Sequence, residues 1–194
     1  MGDHFQIIVD LDATEADAPG LAARVVDRLV GEGIVRAERT ECLLGPGLGH
    51  PPGPRWDRAV APADARWAPT DGLAVHTGRT FFHSGQGDPE WVRCPRCAAT
   101  TRLYVYEDWT PVEGASDPFD RAIGLWRATG DADVECASCT ARVPLPEWKW
   151  AYDSFAFGYL GFEFWNWPEF TDEFRDLVAD ALGGHRTAHP AGKF

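Results

Sequence analysis

Apolar residues follow two different rhythms along this chain. Phe5, Ile7, Ile8, Val9 and Leu11 crowd a stretch that is too short for a helix, rich in β-branched side chains and closed by a polar cluster, which predicts a buried strand. A 3.6-residue rhythm then takes over. Leu21, Val25 and Leu29 share one helical face, Asp17 stands at the N-cap position, Pro19 falls in the first turn, and Gly31 and Gly33 stop the run. Ile34–Leu44 returns to a strand-like pattern. The far end repeats this order. Phe155, Phe157 and Tyr159, then Phe162 and Phe164, alternate with a break at Gly161, and Trp165-Asn166-Trp167-Pro168 makes a turn. Thr171 caps a helix striped with Phe174, Leu177, Val178 and Leu182, which Gly183-Gly184 ends. His185–Phe194 predicts a closing strand that Pro190 confines to an edge.

Together the two ends spell β-α-β twice, the order of a ferredoxin-like, split β-α-β fold of the α+β class. Residues 1–44 and 153–194 would form that sandwich core, with everything between inserted into it. Residues 45–70 hold six Pro and four Gly and predict a long loop. Within residues 71–152, Leu73–His83 and Thr101–Trp109 predict strands, Asp117–Thr129 a helix, and Val134–Leu145 a hairpin.

That insertion carries the strongest chemical signal. Cys94-Pro95-Arg96-Cys97 and Cys136-Ala137-Ser138-Cys139 are two CxxC turns, and each spacing lets both thiolates of a tight turn point at one ion. Two such turns supply the four sulfurs of a tetrahedral zinc site at Cys94, Cys97, Cys136 and Cys139. Over residues 91–145 the chain resembles the zinc ribbons, in which two knuckles on adjacent hairpins pinch one zinc ion, and as a whole it resembles zinc-ribbon-containing bacterial proteins. The chain departs from the ribbon pattern in its longer, helical spacer and in Ala98 and Thr140, which stand where Gly often follows the second cysteine. An all-thiolate set leaves no coordination position for water, so the expected role of Zn²⁺ is structural. The expectation is also that a small insertion buries little apolar area, leaving the metal to supply much of its folding free energy.

Charge narrows the partners. Thirty Asp and Glu against eighteen Lys and Arg give a net charge of -12, a field that repels phosphate backbones and anionic membranes and favours a basic or neutral protein partner. Arg93, Arg96, Arg102 and Arg142 form a local cationic spot around the knuckles, which keeps a nucleic-acid-binding ribbon as an alternative. Only Lys149 and Lys193 stand beside sixteen Arg, a bias of high-GC bacterial genomes. No apolar stretch is long enough for export or membrane spanning, and four cysteines assigned to metal leave Cys42 single; both features point to the cytoplasm.

Catalytic signatures are partial. Asp10-Leu11-Asp12-Ala13-Thr14 follows an apolar strand and resembles the DxDxT motif of haloacid-dehalogenase-type phosphohydrolases, which implies an Asp10 nucleophile, an Asp12 acid/base and magnesium. That family's positioned Lys and further acidic motif have no good match here, and Asp10 and Asp12 read more simply as a solvated strand end. Pro46 spoils Gly45–Gly49 as a phosphate cradle, and the six histidines lack paired metal spacing. Trp148, Trp150, Tyr152, Phe155, Phe157, Phe162, Phe164, Trp165 and Trp167 form an aromatic run flanked by carboxylates. It admits two readings, packing or an acidic aromatic surface that binds protein. The expectation from sequence is a non-catalytic zinc-binding interaction protein of adaptor, inhibitor or immunity type.

Overall fold

A computed structural model describes residues 2–85, 89–105, 107–108 and 110–193. Trp109, at the end of one predicted strand, lies outside the described residues. In chain order the elements are β1 (His4–Asp10), α1 (Ala18–Gly31), β2 (Leu73–His83), β3 (Trp91–Arg93), β4 (Thr100–Arg102), β5 (Tyr104–Val105) and β6 (Thr110–Pro111). They continue with α2 (Asp117–Thr129), β7 (Asp133–Glu135), β8 (Arg142–Pro144), β9 (Lys149–Trp150), β10 (Phe155–Trp165), α3 (Asp172–Ala181), β11 (Thr187–Ala188) and β12 (Ala191–Lys193). The chain is a mixed α+β protein with three α-helices and several antiparallel sheets, none closed into a barrel among the described residues.

The largest sheet runs β11-β1-β10-β2, with β12 also on β1, and every pairing in it is antiparallel. One core lies between this sheet and helices α1 and α3. It joins Ile8, Leu160, Phe162 and Phe164 to Leu21, Val25 and Leu29 of α1 and to Phe174 and Val178 of α3. Ile7 and Val9 alternate to the other side, where Phe5, Phe82 and Ala156 meet them. The phase change in β10 comes at a register shift between Gly158 and Leu160, a little before the Gly161 that the hydropathy pattern marks. Gly161 has a different reason to be glycine, because a Cβ there would lie 2.4 Å from the Phe82 ring.

Two expected strands come out differently. Ile34–Leu44 is not a strand. Ile34 and Val35 are buried in the helix-side core, but beyond them the segment makes only isolated bridges, Val35 with Pro52 and Thr40 with Gly49. Its neighbour is the Pro-rich loop, whose prolines lack a backbone donor and cannot carry a ladder. The place beside β10 goes to Leu73–His83, which the sequence pattern groups with the knuckles. β2 pairs along most of its eleven residues with β10. Thr171 caps α3 as expected, its side chain accepting from the Phe174 amide at 3.2 Å. Asp17 occupies the N-cap of α1 without a capping side-chain bond, its carboxylate taking the Thr14 hydroxyl instead.

A second core belongs to the cysteine-bearing region. Phe119 and Trp126 of α2 pack with Val92, Val134, Val143, Trp148, Trp150 and Cys94, and Phe157 joins them from β10. The aromatic run is therefore mostly interior: Trp148, Trp150, Phe157, Phe162, Phe164 and Trp167 are all buried, and only Tyr152 stands well out, at 82% exposure. These rings do not form the acidic aromatic surface envisaged from sequence; they fill two cores.

Candidate metal centre

Two short hairpins carry the cysteines. β3 and β4 pair Arg93 with Thr100 across the first knuckle, and β7 and β8 pair Glu135 with Arg142 across the second. The turns between them are built alike. The Cys94 amide donates to the Ala99 carbonyl at 2.9 Å and the Ala98 amide to the Cys94 carbonyl at 3.0 Å. In the second turn Cys136 donates to Ala141 at 2.9 Å and Thr140 to Cys136 at 2.8 Å. Each turn closes through a residue in left-handed conformation, Ala98 at φ 59° and Thr140 at φ 56°. These are the two positions where ribbons often have Gly, so the sequence departure falls where a Cβ is least comfortable.

The turns bring all four Sγ atoms within 4.8 Å of one another. Cys94 and Cys139 Sγ are 4.0 Å apart, and Cys97 and Cys136 Sγ 3.7 Å. A tetrahedral zinc ion with Zn–S bonds of about 2.3 Å requires sulfur–sulfur edges of about 3.8 Å, whereas a disulfide brings its sulfurs to about 2.0 Å. The cage therefore has the dimensions of a metal site, and four convergent sulfurs are consistent with a zinc-binding knuckle pair. Cys94 and Cys136 are buried, Cys139 is half-buried and Cys97 is exposed.

Electrostatics inside the cage is uneven. The backbone amides of Cys139 and Ser138 hold the Cys136 thiol down to about 6, against the opposing effect of burial. At Cys97 the Ala99 amide favours the thiolate, but desolvation and the three neighbouring sulfurs push the thiol up to about 12. Four thiolates this close repel one another, and a divalent cation at their centre relieves that repulsion.

The knuckle arginines are exposed, and each has a neighbour. Arg96 pairs with Glu147 at 2.9 Å, Arg102 approaches Glu90 at 3.9 Å and Arg142 approaches Asp133 at 3.9 Å. Arg93 lies 5.1 Å from the Trp91 ring centroid and donates to Thr100 Oγ1.

Asp10 and Asp12 lie elsewhere, Asp10 at the end of β1 in the central sheet and Asp12 in the bend that follows. Asp10 is fully buried, contrary to its reading as a solvated strand end. Its Oδ1 accepts from the Asp12 and Ala13 amides, each at 2.9 Å, and its Oδ2 lies 2.9 Å from His185 Nδ1. Asp12 is held by Arg186, whose hydrogen bonds keep its carboxyl below the ordinary aspartate value. Asp10 thus ties β1 to the segment after α3. Sequence reasoning missed His185 as its partner, since the two are joined only by the folding of the chain ends. Cys42 is half-buried, and its carbonyl accepts from the Gly72 amide at 2.7 Å.

Compared with known proteins, the chain matches no family model, no curated protein and no solved structure.

Proposed function

We propose that this is a zinc-stapled binding protein without catalytic chemistry of its own, acting as an adaptor, inhibitor or immunity-type module. The observation that carries the reading is the convergence of Cys94, Cys97, Cys136 and Cys139, a closed sulfur set that offers a metal nothing but thiolate. Zinc is the ion such a set suits best, and its role is to fasten the two hairpins. The module would be zinc-ribbon-like, inserted into a ferredoxin-like, split β-α-β core whose second strand is β2. Reduced thiols fit a cytoplasmic setting. No helix is long and apolar enough to cross a membrane among the described residues. The net charge of -12 favours a partner with a basic or neutral surface and disfavours nucleic acid.

Two measurements test this. Elemental analysis of protein purified without added metal should return one zinc per chain, and a sample free of transition metal that still folds overturns the staple. Affinity capture at low salt should return a stoichiometric protein partner that dissociates as salt rises. Recovery of no partner, or of nucleic acid alone, overturns the binding role and leaves the metal result standing.

A further inference from the structure

The central sheet has two unlike edges. Beyond β1 lie β11 and β12, pieces of two and three residues that are interrupted by Pro190 and end in Lys193. Short strands, proline and lysine are common means of keeping other chains off a sheet edge. β2 forms the opposite edge, and its first half, Leu73-Ala74-Val75-His76-Thr77, holds no Pro, Lys, Arg, Asp or Glu. The Leu73 amide and carbonyl point outward and exchange hydrogen bonds with His50, each at 2.9 Å. Alternation along the strand turns the amides and carbonyls of Val75 and Thr77 the same way, and among the described residues neither finds an outward partner. The open stretch ends at Gly78 (φ 110°), past which Arg79 Nη1 donates to the Arg127 carbonyl of α2 at 3.3 Å.

A groove of about 470 Å³ opens beside this edge. Val75 and Thr77 line it from the sheet and the half-buried Val26 and Val30 from α1, with Asp27 and the exposed Leu48. A strand laid antiparallel along Val75 and Thr77 would place the residues opposite them on the same face of the sheet, over Val26 and Val30. The outward amides and carbonyls therefore specify an extended backbone, and the valines specify an apolar residue at every second position. Charge specifies the rest. Asp27 has no ion pair among the described residues, Arg39 directs its Nε to the Leu48 carbonyl at 3.1 Å, and the chain carries a net charge of -12. A second copy would bring another -12 to the same edge, whereas a basic segment is drawn to it.

We infer that the β2 edge over residues 73–77 is a docking site for an extended, basic segment of a partner protein, which adds a strand antiparallel to β2 and seats alternate apolar side chains on α1. This rests on the protein-binding reading above and says where, and in what conformation, the partner binds. Affinity capture separates the two: a partner held equally well by wild type and Thr77→Pro overturns this site and leaves that reading standing, whereas capture of no partner by the wild type overturns that reading, and the peptide titration below decides the site.

The test titrates isotope-labelled full chain with the capped peptide Lys-Val-Lys-Val-Lys-Val-Lys and follows the backbone amides by NMR. The Val75 and Thr77 amides should shift downfield and exchange more slowly with solvent. Residues that face each other across an outward antiparallel pair exchange both of their hydrogen bonds, so the valine amides of the peptide face β2 and its lysine amides face away. N-methylation of the valines should therefore weaken binding at least tenfold, and N-methylation of the lysines should leave it within about twofold. Thr77→Pro removes one outward donor without touching the ladder to β10 and should cost about threefold to tenfold. Ala23→Arg, at an exposed position of α1 in the groove, should weaken binding by a similar factor, so the result does not depend on one variant folding. The peptide with Glu in place of Lys should bind at least tenfold more weakly at low salt, the gap narrowing as salt rises. No binding, shifts that leave Val75 and Thr77 unmoved, equal or reversed sensitivity to the two methylation patterns, undiminished affinity in both variants, an acidic peptide that binds as well, or a chain already dimeric through β2 before peptide is added overturns the inference.

Discussion

The helix-covered sheet and the cysteine-bearing region are built on opposite economies. In the sheet, β2 and β10 run eleven residues each, and a continuous apolar core seals them against α1 and α3. Around the knuckles β3, β4, β7 and β8 have three residues apiece, too few to hold a hairpin in water by themselves. Yet that region has more of a core than its short strands suggest, because α2 and the rings of Trp126, Trp148 and Trp150 gather behind the cysteines. Long strands can rely on area alone; short ones need a cross-link with rings packed behind it.

Breaking the cross-link should give the largest effect. In Cys94→Ser, or after chelation, the cysteine-bearing region should lose up to the order of 10 kcal/mol of metal-linked stability, less whatever its aromatic core retains. Hydrogen exchange should then report opening over residues 91–150 with the sheet still protected; uniform protection would show that the rings suffice without metal. Phe162→Ala should act in the opposite place, costing about 3–5 kcal/mol through a cavity beneath α1 and α3, with zinc content unchanged. Denaturant unfolding and metal analysis of the same variant check both halves of that statement.

Smaller changes sharpen the contrast. Thr171→Ala removes the cap of α3 and should cost about 1 kcal/mol, read from the denaturation midpoint. Ala98→Gly relieves a left-handed residue in the first knuckle and should stabilise by a few tenths to about 1 kcal/mol, the gain trimmed by the freer unfolded chain. Arg186→Ala should have the smallest effect of these, a cost present at neutral pH that vanishes in acid. Because Asp12 is depressed in the folded protein, its stabilisation is present above the ordinary aspartate value of 3.8 and lost as pH falls through the lower, folded one. The wild type should therefore lose more stability than the variant across that window, and parallel curves would refute the pairing.

What sequence reveals follows the same division. α2 and β2 fall where their periodicity puts them, and the four cysteines converge as the CxxC spacings imply. Local pattern suffices when spacing alone dictates geometry. It misplaces the partner of β10, because choosing between Ile34–Leu44 and Leu73–His83 depends on which segment can offer an unbroken row of backbone donors, a question settled by the prolines across the loop. It also mistakes Asp10 for a surface residue. The Asp12 and Ala13 amides satisfy one of its oxygens, and the other meets His185, almost the whole chain away. The aromatic run reads ambiguously because one sequence stretch feeds two cores, with the register shift near Gly158 separating them.

Each knuckle contributes one buried cysteine, Cys94 or Cys136, and one more open to solvent, Cys97 being exposed and Cys139 half-buried. A cation held by them would be more sheltered on the Cys94 and Cys136 side than on the Cys97 side. Chelators and oxidants would meet Cys97 first, so its exposure would set how quickly such an ion could be lost.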